Sequence, residues 1–446
     1  MAKEYLIGDF LKRIKRPIKL VDDQDYKLVT IKMNHNGVVL RELKKGAMIK
    51  SNMYQVKKGD FILSGIDARN GAFGIVPTEL DGAIVTNDFW YFEIDESIIS
   101  KRLFLELTAT TWFDEICKRG SDGTTQRIRL QKDKFFNQIV LLPEGNEQEE
   151  LLEKILSFKK GQSHLDSEII NQKELTTQLK QSILQEAIQG KLTEEWRKQN
   201  PDVEPASELL KRIKAEKAQL IKDKKIRKEK PLPPITEDEI PFELPEDWVW
   251  CRLGEIFQTT SGGTPNRSNS KYWNGSITWY KSGELNDGLL SANSQEKITE
   301  LGLKESSATL FPEGTLLIAM YGATAGKLAI LGRDATTNQA VCGFYKNQLI
   351  ESEYLFNFLM ANRSKMISES WGMSQPNISQ TYLKNFVFAL PPLGEQKRIV
   401  KKVKDLMKTV EQLKSEITQS EKHAQMLMQA VLKEAFESKK EEVYES

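Results

Sequence analysis

The sequence is poor in the residues that carry most covalent and metal chemistry: its 446 residues include three cysteines and three histidines. Cys117, Cys251 and Cys342 lie more than ninety residues apart, which excludes both a disulfide framework and the paired spacing of a zinc site. His164 and His423 fall inside long helical stretches and His35 stands alone, so no Cys–His or Ser–His arrangement can be assembled. Formal charge is only +1. Without a basic field over the whole chain, any contact with nucleic acid must come from local patches. No apolar run approaches the roughly 18 residues of a membrane span. The opening "MAKEYLIGDFLKRIKRPIKL" also lacks the apolar core of a secretion signal. The expectation is a cytoplasmic protein with no membrane partner.

Phosphate and methyl-donor signatures are missing too. "GATAGKL" (322–328) has one residue too few between its glycines, and Leu328 stands where a magnesium-binding Ser or Thr would be. Gly322 and Gly326 are therefore read as turn residues. Neither a Gly-x-Gly-x-x-Gly run nor the Asn/Asp-Pro-Pro-Tyr run of an amino-methyltransferase occurs. These absences point to a binding protein without a catalytic site, metal or cofactor of its own.

What the chain does have is a repeat. "LLPEGNEQEELLEKI" (141–155) is echoed by "LPPLGEQKRIV" (390–400), pairing Gln148 with Gln396; "SILQEAIQG" (182–190) is echoed by "AVLKEAFES" (430–438). Both pairs are 248 residues apart, so the intervening length is conserved between the copies. Between these landmarks Leu151, Ile155, Phe158, Gln162, Leu165, Ile169, Gln172, Thr176, Leu179 and Ile183 trace a heptad seam. Adding 248 gives Ile399, Val403, Leu406, Val410, Leu413, Ile417, Ser420, Ala424, Leu427 and Val431. Two helices of equal length and register fit mutual packing, the alternative being that each packs on its own domain. A helix of about 40 residues spans roughly 60 Å, a ruler as well as a core.

The fold class is read as α+β: two globular domains joined by two long helices that pack on each other. The divisions are 1–143 (first domain), 144–190 (first spacer helix), 191–244 (linker with a basic helix), 245–392 (second domain) and 393–440 (second spacer helix). Strand-like runs include "YKLVTIKM", "GDFILSGI" and "GAIVTNDFWYFEI" in the first domain, and "SITWY", "GTLLIAMYG" and "FVFALP" in the second. Local echoes link the domains at drifting offsets: "YLIGDF" with "CRLGEIF", Gly59-Asp60 with Glu313-Gly314, Thr86-Asn87 with Thr337-Asn338, and Gln126-Arg127-Ile128 with Gln375-Pro376-Asn377-Ile378. The linker segment "PASELLKRIKAEKAQLIKDKKIRKEK" reads as a solvated basic amphipathic helix, or as one whose Lys222, Lys224, Lys225, Arg227 and Lys228 meet phosphates.

Base edges are read by side chains offering paired donors and acceptors, and such residues recur on glycine-rich loops of both domains. The candidates are Arg69 and Asn70 in "DARNG", and Thr124, Thr125, Gln126 and Arg127 in "KRGSDGTTQRIR". In the second domain they are Thr264, Asn266 and Arg267 in "TTSGGTPNRSNSKYW", Lys281 after "ITWY", Tyr321, Thr324 and Lys327 around "GATAGK", and Ser374, Gln375 and Asn377 in "WGMSQPNIS". The alternative for residues 375–378 is that they only cap the next helix.

These motifs and their duplicated order carry a family likeness. With "GGTP...YWNGSITW", "GATAGK...TNQA", "QPNIS" before "LPPLGEQ", and "LQEAIQGKLTEEWR", the chain resembles the specificity subunits of type I restriction-modification systems. The resemblance implies two target-recognition domains, each reading one half of a bipartite, asymmetric sequence in double-stranded DNA and held apart by the two long helices as an antiparallel coiled coil. It implies docking of two methyltransferase subunits, which bring S-adenosylmethionine, and of restriction/translocase subunits, which use ATP and magnesium. A coiled-coil adaptor whose domains bind protein, and an enzyme with an unfamiliar site, are the rival readings.

Overall fold

A computed structural model describes residues 3–108, 111–123, 128–370 and 377–437. The described residues fall into two compact units, one within 1–171 and 417–446, the other within 172–416. The structure mixes helix and strand throughout. Among the described residues no helix is long and apolar enough to cross a membrane, and no group of three His, Cys, Asp or Glu side chains is placed to hold a metal ion.

In the first unit, strand Lys3–Leu6 lies antiparallel to Ile139–Leu142 and joins the two ends of the globular module. A four-stranded sheet follows the order Leu11–Ile14, Phe89–Ile94, Phe61–Ser64, Phe73–Ile75. A five-stranded sheet carries the long hairpin Asp25–Ile31 and Val38–Lys45. The run "GAIVTNDFWYFEI" divides into two strands because the Phe89 N–H turns back to the Thr86 carbonyl. Phe61, Phe73, Phe104, Phe113 and Phe135 fill the core, with Phe61 edge-on to Phe104 and Phe113 at 5.1 and 5.5 Å, the geometry that ring quadrupoles favour.

The second unit repeats this plan. Val249–Arg252 pairs with Val387–Leu390, and its five-stranded sheet opens with Thr259–Ser261, Val341–Phe344, Leu316–Ala319 and Leu328–Leu331, the order seen in the first module. The segment read as a linker is part of this unit's core. Its helix runs from Ala206 to Lys222 and buries Ala206, Leu209 and Ile213, one helical face, against the module. Residues beyond Lys222 leave the helix, with Lys224 in the left-handed region at φ 58°. The proline-rich stretch that follows is held by Arg252, which is buried. Its guanidinium donates to the carbonyls of Pro233, Pro234 and Asn385 and to Glu239.

Backbone hydrogen bonds show where the duplication keeps its length. The Ile7 N–H reaches the Gln138 carbonyl as the Leu253 N–H reaches that of Phe386. Gly59 N–H to Val76 O, and Ser64 N–H to Ala72 O, recur as Gly314 to Leu331 and Ala319 to Lys327. Position 7 matches 253, 59 matches 314 and 138 matches 386, so the offset runs 246, 255, 248. The second module gains residues in the loops before its central hairpin and loses most of them after it.

The long helices span Asn146–Ile188 and Leu393–Glu437. Each starts from the same device. Gln148 Nε2 donates to the Pro143 and Ile98 carbonyls while its Oε1 accepts from the Ser100 N–H. Gln396 donates to the Pro391 carbonyl and accepts from the Glu351 N–H. Ser100 and Glu351 immediately precede the helices Lys101–Thr108 and Ser352–Ala361. Each glutamine thus ties its long helix to the start of its own module's helix. Farther along, burial falls at multiples of seven residues, at Ile155, Ile169, Thr176 and Ile183, and at Val403, Val410, Ile417 and Ala424. At the alternate heptad position Leu151 and Ile399 are buried and Phe158 and Leu406 half-buried, while farther along Leu165, Leu179, Leu413 and Leu427 are between 38% and 55% exposed. The buried seam therefore has both heptad positions at the start of each helix and narrows to one farther along.

Candidate nucleic-acid interface

In the second module, three backbone bonds align the loops at one end of the strands. The Asn338 N–H binds the Tyr280 carbonyl (3.0 Å), the Met320 N–H binds that of Ala340 (2.7 Å), and the Ile378 N–H binds that of Met320 (2.7 Å). Tyr321 and Asn377 form a further bridge. This row gathers Lys281, Tyr321 and Asn377, and the Thr264 hydroxyl joins it through Gln339. Gly262 and Gly263 allow the close approach: a Cβ on Gly262 would lie 2.4 Å from the Asn338 carbonyl oxygen, and one on Gly263 2.3 Å from that of Ser307.

Arg267 stacks its guanidinium 4.0 Å from the Trp273 ring centre and 4.9 Å from that of Trp279. Glu296 binds Arg267 and, at 2.8 Å, Lys281. The hydrogen bonds from Arg267 and then Lys281 hold its carboxyl down at about 2. Both candidate cations are thus preset in position by one carboxylate. Asn266 shapes the same loop, its side chain accepting from the Ser268 N–H and its carbonyl from Trp273 Nε1.

Thr324 and Lys327 sit on the turn between strands Leu316–Ala319 and Leu328–Leu331, where Gly322 and Gly326 both adopt φ 80° as the turn reading requires. Behind it Asp287 receives Arg363 and the Leu328 N–H. Burial works to raise the Asp287 carboxyl, and these donors together with the nearby Lys327 charge outweigh it, leaving it below its usual range.

In the first module, Arg69 and Asn70 occupy the turn Ala68–Asn70 between Phe61–Ser64 and Phe73–Ile75. By the shared hydrogen bonds this is the counterpart of the Gly322–Thr324 turn, with Gly71 (φ 72°) in the place of Gly326. The hairpin tip of residues 32–37 braces it: the Asn34 and His35 N–H groups bind the Asn70 and Gly71 carbonyls, and His35 Nε2 lies 3.0 Å from Asp114 Oδ2. Thr124, Thr125, Gln126 and Arg127, like Ser374 and Gln375, lie outside the described residues. The helix that follows Asn377 is capped by Ser379, whose hydroxyl accepts from the Tyr382 N–H; Asn377 and Ile378 do not serve as its cap.

The row of backbone bonds recurs here. Gly65 N–H to Asp88 O and Leu130 N–H to Gly65 O match the bonds of Met320 and Ile378. The Asp122–Arg129 pairing matches the Asn377 N–H bond to Ser370, again 248 residues apart. Arg129 therefore holds in the first module the place of Asn377 in the second. Sequence reasoning passed over it, although subtracting 248 from Asn377 points to it.

The chain is thus a duplicated protein: two copies of one α+β module, each presenting a row of polar loops at one end of its strands and each running into a long helix. It belongs to the family of type I restriction modification DNA specificity domains, whose model matches residues 3–175 and 245–420. Among curated proteins it is similar to the type I restriction enzyme EcoEI specificity subunit of Escherichia coli, 33% identical over 58% of this chain. It is also similar to the EcoAI specificity subunit of the same species, 34% identical over 53%. The matches span 44% and 40% of those relatives, less than half their length. The fold is shared with a solved chain described under complex assembly and conformational transition of the type I R-M system, with a TM-score of 0.62, 17% identity and coverage of 98% of this chain and 97% of that one. The HsdS subunit from Thermoanaerobacter tengcongensis gives 0.53, 16%, 98% and 96%.

Proposed function

We propose that this chain is the DNA-reading, non-catalytic subunit of a cytoplasmic type I restriction-modification complex. Each module reads one half of a bipartite sequence in double-stranded DNA, and the halves differ because the side chains on the two rows differ. The observation that carries this reading is the conserved backbone row with divergent polar residues on it, Arg69 opposite Thr324 and Arg129 opposite Asn377. A constant scaffold with variable donors and acceptors is what base readout demands.

The long helices then pair as an antiparallel coiled coil that fixes the distance between half-sites. Their open heptad positions, with Ile170 (66% exposed) and Leu175 (52%), offer apolar surface for two methyltransferase subunits carrying S-adenosylmethionine. Restriction/translocase subunits using ATP and magnesium complete the assembly. The test is selection from random duplexes in the presence of the methyltransferase partner, followed by sequencing of the bound pool. A gapped two-part consensus is expected. A pool without enrichment would refute DNA reading and leave the protein-binding adaptor.

A further inference from the structure

We infer that Arg129 is a specificity-determining residue of the first module and that it reads a guanine, with Asp88 as its positioning partner. The inference rests on the DNA-reading function proposed above and names the residue that carries it in one half-site.

Arg129 sits at the loop end of the hairpin Ser121–Asp122 and Arg129–Leu130, half exposed, with Nη1 2.9 Å from Asp88 Oδ1. Asp122, directly across the hairpin, is occupied by Lys134, which leaves Asp88 as the acidic partner given to Arg129. Asp88 is itself fixed: its carbonyl accepts from the Gly65 N–H at 2.7 Å. The adjacent Asn87 is gripped by Arg13, whose Nη2 donates to the Asn87 carbonyl (2.8 Å) and side-chain oxygen (3.1 Å) while its guanidinium stacks 4.5 Å from the Trp90 ring centre. The fork of Arg129 is thus oriented by a carboxylate mounted on a braced turn, at the place in the row where the second module puts Asn377. A guanidinium presents the paired donors that match guanine O6 and N7, whereas an amide at the same place matches adenine. One carboxylate–guanidinium contact leaves further N–H groups of Arg129 to bind a base.

The full chain assembled with its methyltransferase partner, as wild type, Arg129→Ala, Arg129→Lys and Asp88→Asn, is used to methylate a random-sequence library, and the modified positions are sequenced. The wild type should show a guanine in one half-site whose preference falls about 5- to 150-fold in Arg129→Ala, the range for loss of one bidentate base contact. The other half-site and the spacer should stay unchanged. Arg129→Lys, which keeps the charge but loses the fork, should relax the same position, and Asp88→Asn should relax it in part. A consensus that survives Arg129→Ala, or a loss spread evenly over all sequences as for a phosphate contact, would overturn this inference alone. A wild-type complex that yields no two-part consensus would overturn the parent reading and this inference with it.

Discussion

Glu395, in the first turn of the second long helix, is fully buried and surrounded by donors. Its carboxylate accepts from Thr193 Oγ1 at 2.7 Å, Arg197 Nη2 at 2.8 Å and Trp248 Nε1 at 2.8 Å. Substitution by alanine leaves Trp248 Nε1 without an acceptor and takes the counter-charge from a guanidinium only 20% exposed, which, like Thr193 Oγ1, keeps only the Gly190 carbonyl. Breaking a buried ion pair by removing one partner costs about 3–5 kcal/mol, a large part of the roughly 5–15 kcal/mol that holds a domain folded. For a unit spanning residues 172–416, each kcal/mol lowers Tm by roughly 2–4 °C. Glu395→Ala should therefore melt about 6–20 °C lower in scanning calorimetry. Because much of that loss is the stranded charge, Arg197→Met in the same chain should recover part of it, with a coupling of at least about 1.5 kcal/mol. A shift under about 2 °C, or strictly additive single and double variants, would refute the idea that these residues act as one buried network.

Three further outcomes follow from the geometry. Gln396→Leu strands the Pro391 carbonyl and Glu351 N–H, and Gln148→Leu does the same at Pro143, Ile98 and Ser100. Each should lower the unfolding free energy by about 1–3 kcal/mol, read as a lower urea midpoint at unchanged slope, and by more for fully buried Gln396; two silent variants would contradict the shared anchor. Glu296 is depressed to about 2 by Arg267 and Lys281, so its contribution to stability is complete above its unfolded value near 4.5 and is lost as pH falls toward about 2. Acid titration of Glu296→Gln should lack that component, and a curve identical to wild type would count against the clamp. Finally, one added helical turn near Gln172 and near its counterpart Ser420, about 6 Å, should widen the unread spacer by about one or two base pairs. Methylation mapping that returned the original spacer would sink the ruler.

How much was legible differs between frame and edge, for a physical reason. The long helices are continuous hydrogen-bonded rods, so an inserted residue rotates every later side chain by about 100°. Their landmarks keep the 248 offset, and Gln148 and Gln396 prove to make the same bonds. The seam narrows beyond the first turns, where Leu165 and Leu413 are exposed, because apolar letters at both heptad positions do not say which of them is covered. Ala206, Leu209 and Ile213 carry the spacing of a buried face, yet the abundant lysines around them drew the reading toward a solvated helix.

Inside the modules, loops absorb insertions without disturbing the strands, so letter matches slip. Thr86-Asn87 resembles Thr337-Asn338, but the bonds from Phe89 to Thr86 and from Val341 to Asn338 set Thr86 beside Asn338, one place over. Gln126 resembles Gln375, whereas the offset fixed by Leu130 and Ile378 sets 375 beside 127. Gly65 and Met320 are equivalent and share no chemistry: each receives one bond and donates one through its backbone. Equivalence in these modules is written in N–H and C=O groups, which every residue but proline supplies alike. Side chains on the same row are then free to diverge, as the proposed reading of two different half-sites requires. The positions proposed for recognition are thus the ones that matching letters between the two halves is least able to pair.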